Sequence, residues 1–242
     1  SGPLASSLCS SPISPTFVGE NLAFLTSHRH DGILRTTFGK ANTVQIGETV
    51  PSTRVAERRE ATKSAILAAA WKLARRDGLN GLGMRELAAE LGMTAPSLYG
   101  SFPSKDAIFD AMFIQGNEEL VSRAQADVGE GLGDVRAFLV ASATSYVVFC
   151  NEDPARFQLL FQHAIPGWHP SEEAYAAAVD ALGMFRGELA AYGLDSQDDL
   201  DLWTALTTGL ASQQVANDPG GDRWIRLIEP TVDMYLSSRG RS

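Results

Sequence analysis

The sequence predicts an all-α protein, with a small N-terminal three-helix unit and a larger C-terminal helical bundle. Three observations carry this. From Ser52 onward, apolar residues recur at spacings of three and four rather than in alternation. The periodic stretches are punctuated by Gly, Pro and Ser/Asp, the residues that start and stop helices. Charge is also split along the chain. Residues 51–106 hold nine Lys/Arg against six Asp/Glu, whereas residues 107–242 hold eight Arg, no Lys and twenty Asp/Glu.

The elements follow in order. Residues 1–50 open on a Ser/Pro-rich stretch that reads as a flexible extension. The later "GILRTTFGKANTVQIG" has the Thr/Val/Ile content of a short strand or hairpin. The first Met is Met84, so the opening Ser-Gly reads as a trimmed or appended start. The first helix is expected from about Arg54 to Asp77, with Ile66, Ala69, Ala70 and Leu73 on one face and Gly78 ending it. Met84–Leu91 and Ala95–Phe102 form the second and third, joined across Gly92, with Thr94 capping through the Ser97 N–H. Ser104 caps a fourth, carrying Ile108, Phe109, Met112 and Phe113.

After the Gly-rich break at 128–134, Val135, Phe138, Leu139, Ser142, Tyr146 and Phe149 make one apolar stripe. Asp153-Pro154 opens another helix, and Ser171-Glu172-Glu173 opens the next, to about Tyr192. The last two are expected at about 196–216 and 222–236, with Asp222 as cap and Pro230 kinking or breaking the final one. The chain divides as a 1–50 extension, a 51–103 helix-turn-helix unit and a 104–242 bundle.

"MRELAAELGMTAPSLYGSF" (84–102) meets the demands of a helix-turn-helix. Ala88 is small where the axes approach, Gly92 permits the reversal, and Leu87, Leu91, Met93 and Leu98 close a shared core. The same pattern also fits a helical hairpin in an unrelated bundle. As a recognition helix, its small N-terminal residues let the backbone approach base edges. Methyls of Thr94 and Ala95 suit thymine methyls, the Thr94 and Ser97 hydroxyls suit bases or phosphates, and Tyr99 suits a phosphate. It lacks an Arg, Asn or Gln for a bidentate base contact, so direct readout is expected to be weak. Arg85, or an N-terminal arm with Arg54, would add to it. Lys105, with Arg54, Arg58 and Arg59, would supply phosphate contacts; for each arginine a solvated surface charge is the equal alternative.

The stretch "ATKSAILAAAWKLARRDGLNGLGMRELAAELGMTAPSLYGSFPSKDAIFDAM" resembles the N-terminal domain of TetR-family transcriptional regulators. The likeness covers roughly 55 residues, through the "G-x-x-G" turn, "LGM", "LY..F" and "PSKD". It implies an all-helical homodimer with a DNA-binding head, a ligand-binding and dimerisation body, and the helix from Lys105 linking the two. Positions Thr94, Ala95, Ser97, Tyr99 and Lys105 match the DNA-contacting sites of the pattern. Gly83 stands where the family has a Ser/Thr cap, and Gly100-Ser101 replace a bulkier pair.

For the body, the resemblance implies a cavity among helices. Phe149, Phe157, Phe161, Trp168, Tyr175, Phe185 and Trp203 are its expected lining, with His163, Thr207 and Gln214 as orienting polar groups. Ordinary core aromatics and backbone-satisfied polar residues are the alternative. So acidic a body disfavours anions, which leaves a small neutral or cationic, hydrophobic effector. The last two helices are expected to form a homodimer that reads palindromic double-stranded DNA. A repressor is the leading expectation. A helical sensor, or an enzyme without DNA binding, is the other class. No zincin, nucleophile-elbow, P-loop or dinucleotide motif occurs, so no catalytic residue, metal or cofactor is expected. No membrane span or secretory signal is visible, and Cys9 and Cys150 suggest no disulfide framework, which together fit a cytoplasmic protein.

Overall fold

Helix boundaries fall where the capping residues stand. The computed structural model describes residues 53–129 and 133–241. Among them are nine α-helices: α1 Thr53–Asp77, α2 Met84–Glu90, α3 Ala95–Ser101, α4 Lys105–Val128, α5 Val135–Glu152, α6 Pro154–Phe161, α7 Glu172–Ala191, α8 Gln197–Asn217 and α9 Ile228–Ser238. Short 3-10 turns lie at Leu79–Gly81 and Ile225–Leu227. No strand occurs among the described residues. The strand or hairpin and the flexible extension expected before residue 50, and Cys9, lie outside them.

The caps show how local chemistry sets these ends. The Ser104 hydroxyl accepts from Ala107 N at 3.1 Å, Asp153 from Arg156 N at 3.2 Å, and Ser171 from Ala174 N at 3.2 Å. Ser196 and Asp199 form a reciprocal capping box at the start of α8. Two expected caps differ. Thr94 sits at the N-cap of α3, but its hydroxyl lies 2.9 Å from the Ser97 hydroxyl. The Ser97 N–H is already taken by the Thr94 carbonyl at 3.0 Å.

The final helix begins at Ile228, not Asp222. A helix continuous from 222 would need an N–H at Pro230 and would drive its ring into the Arg226 carbonyl. The chain instead takes a 3-10 turn and restarts, so Pro230 falls in the first turn of α9. Asp222 contributes its backbone carbonyl, to Arg226 N at 3.0 Å.

Packing places α1 between the head and the body. Ile66, Ala69, Ala70 and Leu73 are buried as expected, and Trp71 and Ala74 are buried too. Trp71 Nε1 donates to Gln115 Oε1 of α4 at 2.8 Å. Residues 54–65 precede the first buried position and lie outside the core. In the body, α5 packs against α4, α6, α8 and α9. This explains why its buried surface is wider than one stripe and takes in Ala143, Ser145, Val147 and Cys150. Gly116 of α4 lets α6 come close: a Cβ there would stand 3.0 Å from Leu160 Cδ2.

Candidate nucleic-acid interface

The reversal between α2 and α3 turns on Gly92, whose φ of +61° is open to glycine at no steric cost. Met93 N returns to the Ala88 carbonyl at 2.9 Å, closing the turn. Leu87, Ala88 and Leu98 are buried beneath it, while Leu91 and Met93 are half-buried against the same core. Leu98 therefore anchors α3 by a single fully buried side chain. Its neighbours face outward: Thr94, Ser97 and Tyr99 are exposed, Tyr99 at 49%, and Ala95 is half-buried. A short helix held from below and bare on its outer face is what entry into a DNA groove requires.

The cations stand around this helix. Lys105 begins α4, half-buried, with Nζ 5.1 Å from the centroid of the Phe109 ring. Arg85 is exposed on the first turn of α2, and Arg54 and Arg58 are exposed on the first turns of α1. Gly83 caps α2 with an extended backbone and no side-chain bond. The Glu86 carboxylate fills the space its side chain would need.

The structure distributes the expected effector-lining residues over separate clusters. Phe157 and Phe161 meet at 5.8 Å, with Tyr146 at 5.3 Å from Phe161. Phe185 stacks between Phe138 and Trp203, each at 6.2 Å. Trp168 packs against Phe109 and Phe113 of α4. Phe149 is covered by the Arg156 guanidinium at 3.6 Å. Tyr175 and His163 are half-buried; His163 holds a φ of +47° and its ring lies 6.4 Å from that of His169. Burial, then the neighbouring His169, holds the His163 imidazole below its ordinary pKa.

Two of the polar candidates are satisfied by backbone. Thr207 Oγ1 donates to the Trp203 carbonyl at 2.9 Å. Gln214, fully buried, accepts from Trp224 N at 2.8 Å and donates to the Asp218 and Gly221 carbonyls. An open groove of about 340 Å³ lies between α4 and α5, lined by Arg123, Asp127, Ala141, Thr144, Ser145 and Val148, none of them an expected lining residue.

Sequence reasoning missed the polar joints between helices. Arg75 Nε donates to Asp153 Oδ2 at 2.8 Å, joining α1 to α6. Arg156 is 4% exposed and donates to Glu119 of α4 at 2.5 Å and to the Phe149 carbonyl at 2.9 Å. The signal available was an arginine inside the mostly apolar "PARFQLLF", where a buried charge demands a partner. Cys150 is a buried free thiol, pushed up to about 12 by burial. No group of three metal-ligating side chains occurs, and no helix is long and apolar enough to cross a membrane, among the described residues.

Comparison with known proteins agrees with this geometry. Residues 66–112, from the core half of α1 into α4, match the model of bacterial regulatory proteins, tetR family. The HTH-type transcriptional regulator Rv1816 of Mycobacterium tuberculosis is 29% identical over 189 residues, covering 70% of this chain and 76% of the relative. The solved structure of PfmR, a TetR family transcriptional regulator from Thermus thermophilus, superposes with a TM-score of 0.54 at 20% identity, over 71% of this chain and 97% of that one. A TetR variant from Acinetobacter baumannii in complex with minocycline does so at 0.52 and 24% identity, over 74% and 98%. An exposed, singly anchored third helix and the family match across it lead to one conclusion: residues 66–112 form a DNA-binding helix-turn-helix of the TetR type, and the chain is similar to HTH-type transcriptional regulators.

Proposed function

We propose that the protein is a repressor that binds a palindromic operator as a homodimer and leaves it when a small, neutral or cationic, hydrophobic effector binds the body. The observation that carries the DNA half is the outward face of α3, where Thr94, Ser97 and Tyr99 stand exposed over buried Leu98. In this reading Thr94, Ala95, Ser97 and Tyr99 meet the major groove, while Arg85, Lys105, Arg54 and Arg58 meet phosphates. The head comprises residues 51–103 and the body residues 104–242, and the protein works in the cytoplasm.

The dimer is assigned to α8 and α9. Leu227 and Met234 are exposed beside and on α9, Met234 at 58%, and Ala205 and Gly209 leave α8 bare of bulk. Apolar surface next to small residues favours close helix packing between copies. The effector half is supported by the body's twenty Asp/Glu against eight Arg and no Lys. The minocycline complex shows that one structural neighbour holds a small molecule.

The test is selection of duplexes from a random-sequence library on the purified protein, followed by sedimentation. A two-fold symmetric sequence with half-sites about one DNA turn apart, bound by a dimer, is expected. Enrichment of no sequence, or a monomer at micromolar concentration, overturns the reading.

A further inference from the structure

The first three turns of α1 form a charged rod outside the core. Residues 54–65 are exposed except for half-buried Thr62, and the first buried side chain is Ile66. The family match also begins at Ile66, so these turns precede the matched stretch. They carry Arg54, Arg58, Arg59 and Lys63 against Glu57 and Glu60. At roughly 100° per residue the four cations fall within one half of the helix circumference and the two carboxylates within the other. The cationic half is the one that, farther along, carries Ile66, Ala69, Ala70 and Leu73 into the core shared with α2, α3 and α4.

These cations are also unspent. From residue 64 on, each described Lys or Arg except Arg85 has a carboxylate, amide, carbonyl or ring partner within the protein. Arg54, Arg58, Arg59 and Lys63 have no ion pair among the described residues, although the body is rich in carboxylates.

We infer that this rod is a second nucleic-acid contact, whose cationic half lies along the phosphate backbone beside the site read by α3, independently of base sequence. The inference rests on the DNA-binding reading above and extends it to Arg59 and Lys63. Duplex DNA is the occupant because charge complementarity selects it: four unpaired cations on one face match a regular line of phosphates. From residue 53 to 65 the rod is about 20 Å long, which reaches about six base-pair steps. The side chains are long and the face lacks hydrogen-bonding amides, so it adds affinity rather than specificity.

The experiment uses the full chain, with two probes: a duplex selected from a random-sequence library, and an unselected duplex of the same length. The variant Arg54→Gln/Arg58→Gln/Arg59→Gln/Lys63→Gln keeps good helix formers at exposed positions, and circular dichroism checks that it melts as the parent does. Expected is a weakening on the order of 10- to 100-fold on both probes at ~0.1 M salt, with the log–log salt slope shallower by about 3 to 4 per protomer. Nuclease protection should shorten on the outer flanks. The control Glu57→Gln/Glu60→Gln changes net charge but no contact, and should keep the parent slope.

An unchanged slope and footprint in the quadruple variant overturn the inference while leaving the reading of α3 intact. An equal slope change in the control overturns the assignment to one face. A quadruple variant that binds DNA normally but fails to dimerise assigns the rod to the acidic body of a second copy, and equally overturns it. A parent chain that binds neither probe ends both readings.

Discussion

Arg75 donates from Nε to Oδ2 of Asp153 at 2.8 Å, so the last turns of α1 are fastened to the N-cap of α6. The other carboxylate oxygen is occupied by Arg156 N. One nearly buried side chain thus ends a body helix and holds a head helix.

Replacing Asp153 separates these roles. Asp153→Ala should cost about 2 kcal/mol, since it removes the cap and a charge-assisted bond together. Asp153→Asn keeps a capping oxygen and should cost about half as much. Urea denaturation of both variants measures the difference, and equal losses would mean that the charged bond to Arg75 alone matters.

On α3, adjacent residues should behave oppositely. Tyr99→Ala removes an exposed ring and is expected to leave stability within about 0.5 kcal/mol, while weakening binding to a selected duplex by more than about tenfold. Leu98→Ala empties a fully buried site and should cost about 2–4 kcal/mol. Paired melting curves and duplex titrations check this; a Tyr99→Ala protein that binds as the parent does would remove Tyr99 from the interface.

Gln214 closes the turn between α8 and α9 by bonding Trp224 N and the Asp218 and Gly221 carbonyls. Gln214→Leu strands these half-buried backbone groups, at a cost of about 1–2 kcal/mol. Hydrogen exchange should quicken first across residues 218–226. Uniform quickening over the whole chain would show that the turn is not a separate unit.

His163 gives a pH dependence with a definite sign. Its pKa is lowered by burial, then by His169. The unfolded chain therefore binds that proton more tightly than the folded one. Stability is intact above the ordinary value of 6.5 and is lost as pH falls below it toward the lower folded value. His163→Asn keeps a residue that tolerates the positive φ and removes the titration. Melting temperatures between pH 7.5 and 5 should fall less steeply in the variant; parallel curves would refute the assignment.

Much of this architecture was legible because it is local. Ser104, Asp153 and Ser171 cap the helices they precede, and Gly92 reverses the chain where its neighbours demand. Leu87 and Leu98 are buried and Tyr99 is exposed, as the period requires. The body was less legible because its contacts join residues far apart in the chain. Periodicity marks Phe149, Trp168 and Trp203 as apolar, but it cannot say that Arg156 covers the first or that α4 takes the second. Gln214 and Thr207 look like polar residues awaiting a ligand until the backbone groups that satisfy them are in place. Asp222 failed as a cap because Pro230, eight positions on, governs where the helix can restart.

The contact between Gly116 and Leu160 has an evolutionary corollary. Because the α4 backbone touches a leucine with no intervening side chain, these two positions are free to change only together. A bulkier residue at one calls for a smaller residue at the other, so related sequences sharing this crossing should show the pair covarying, with α4 displaced wherever the compensation is missing.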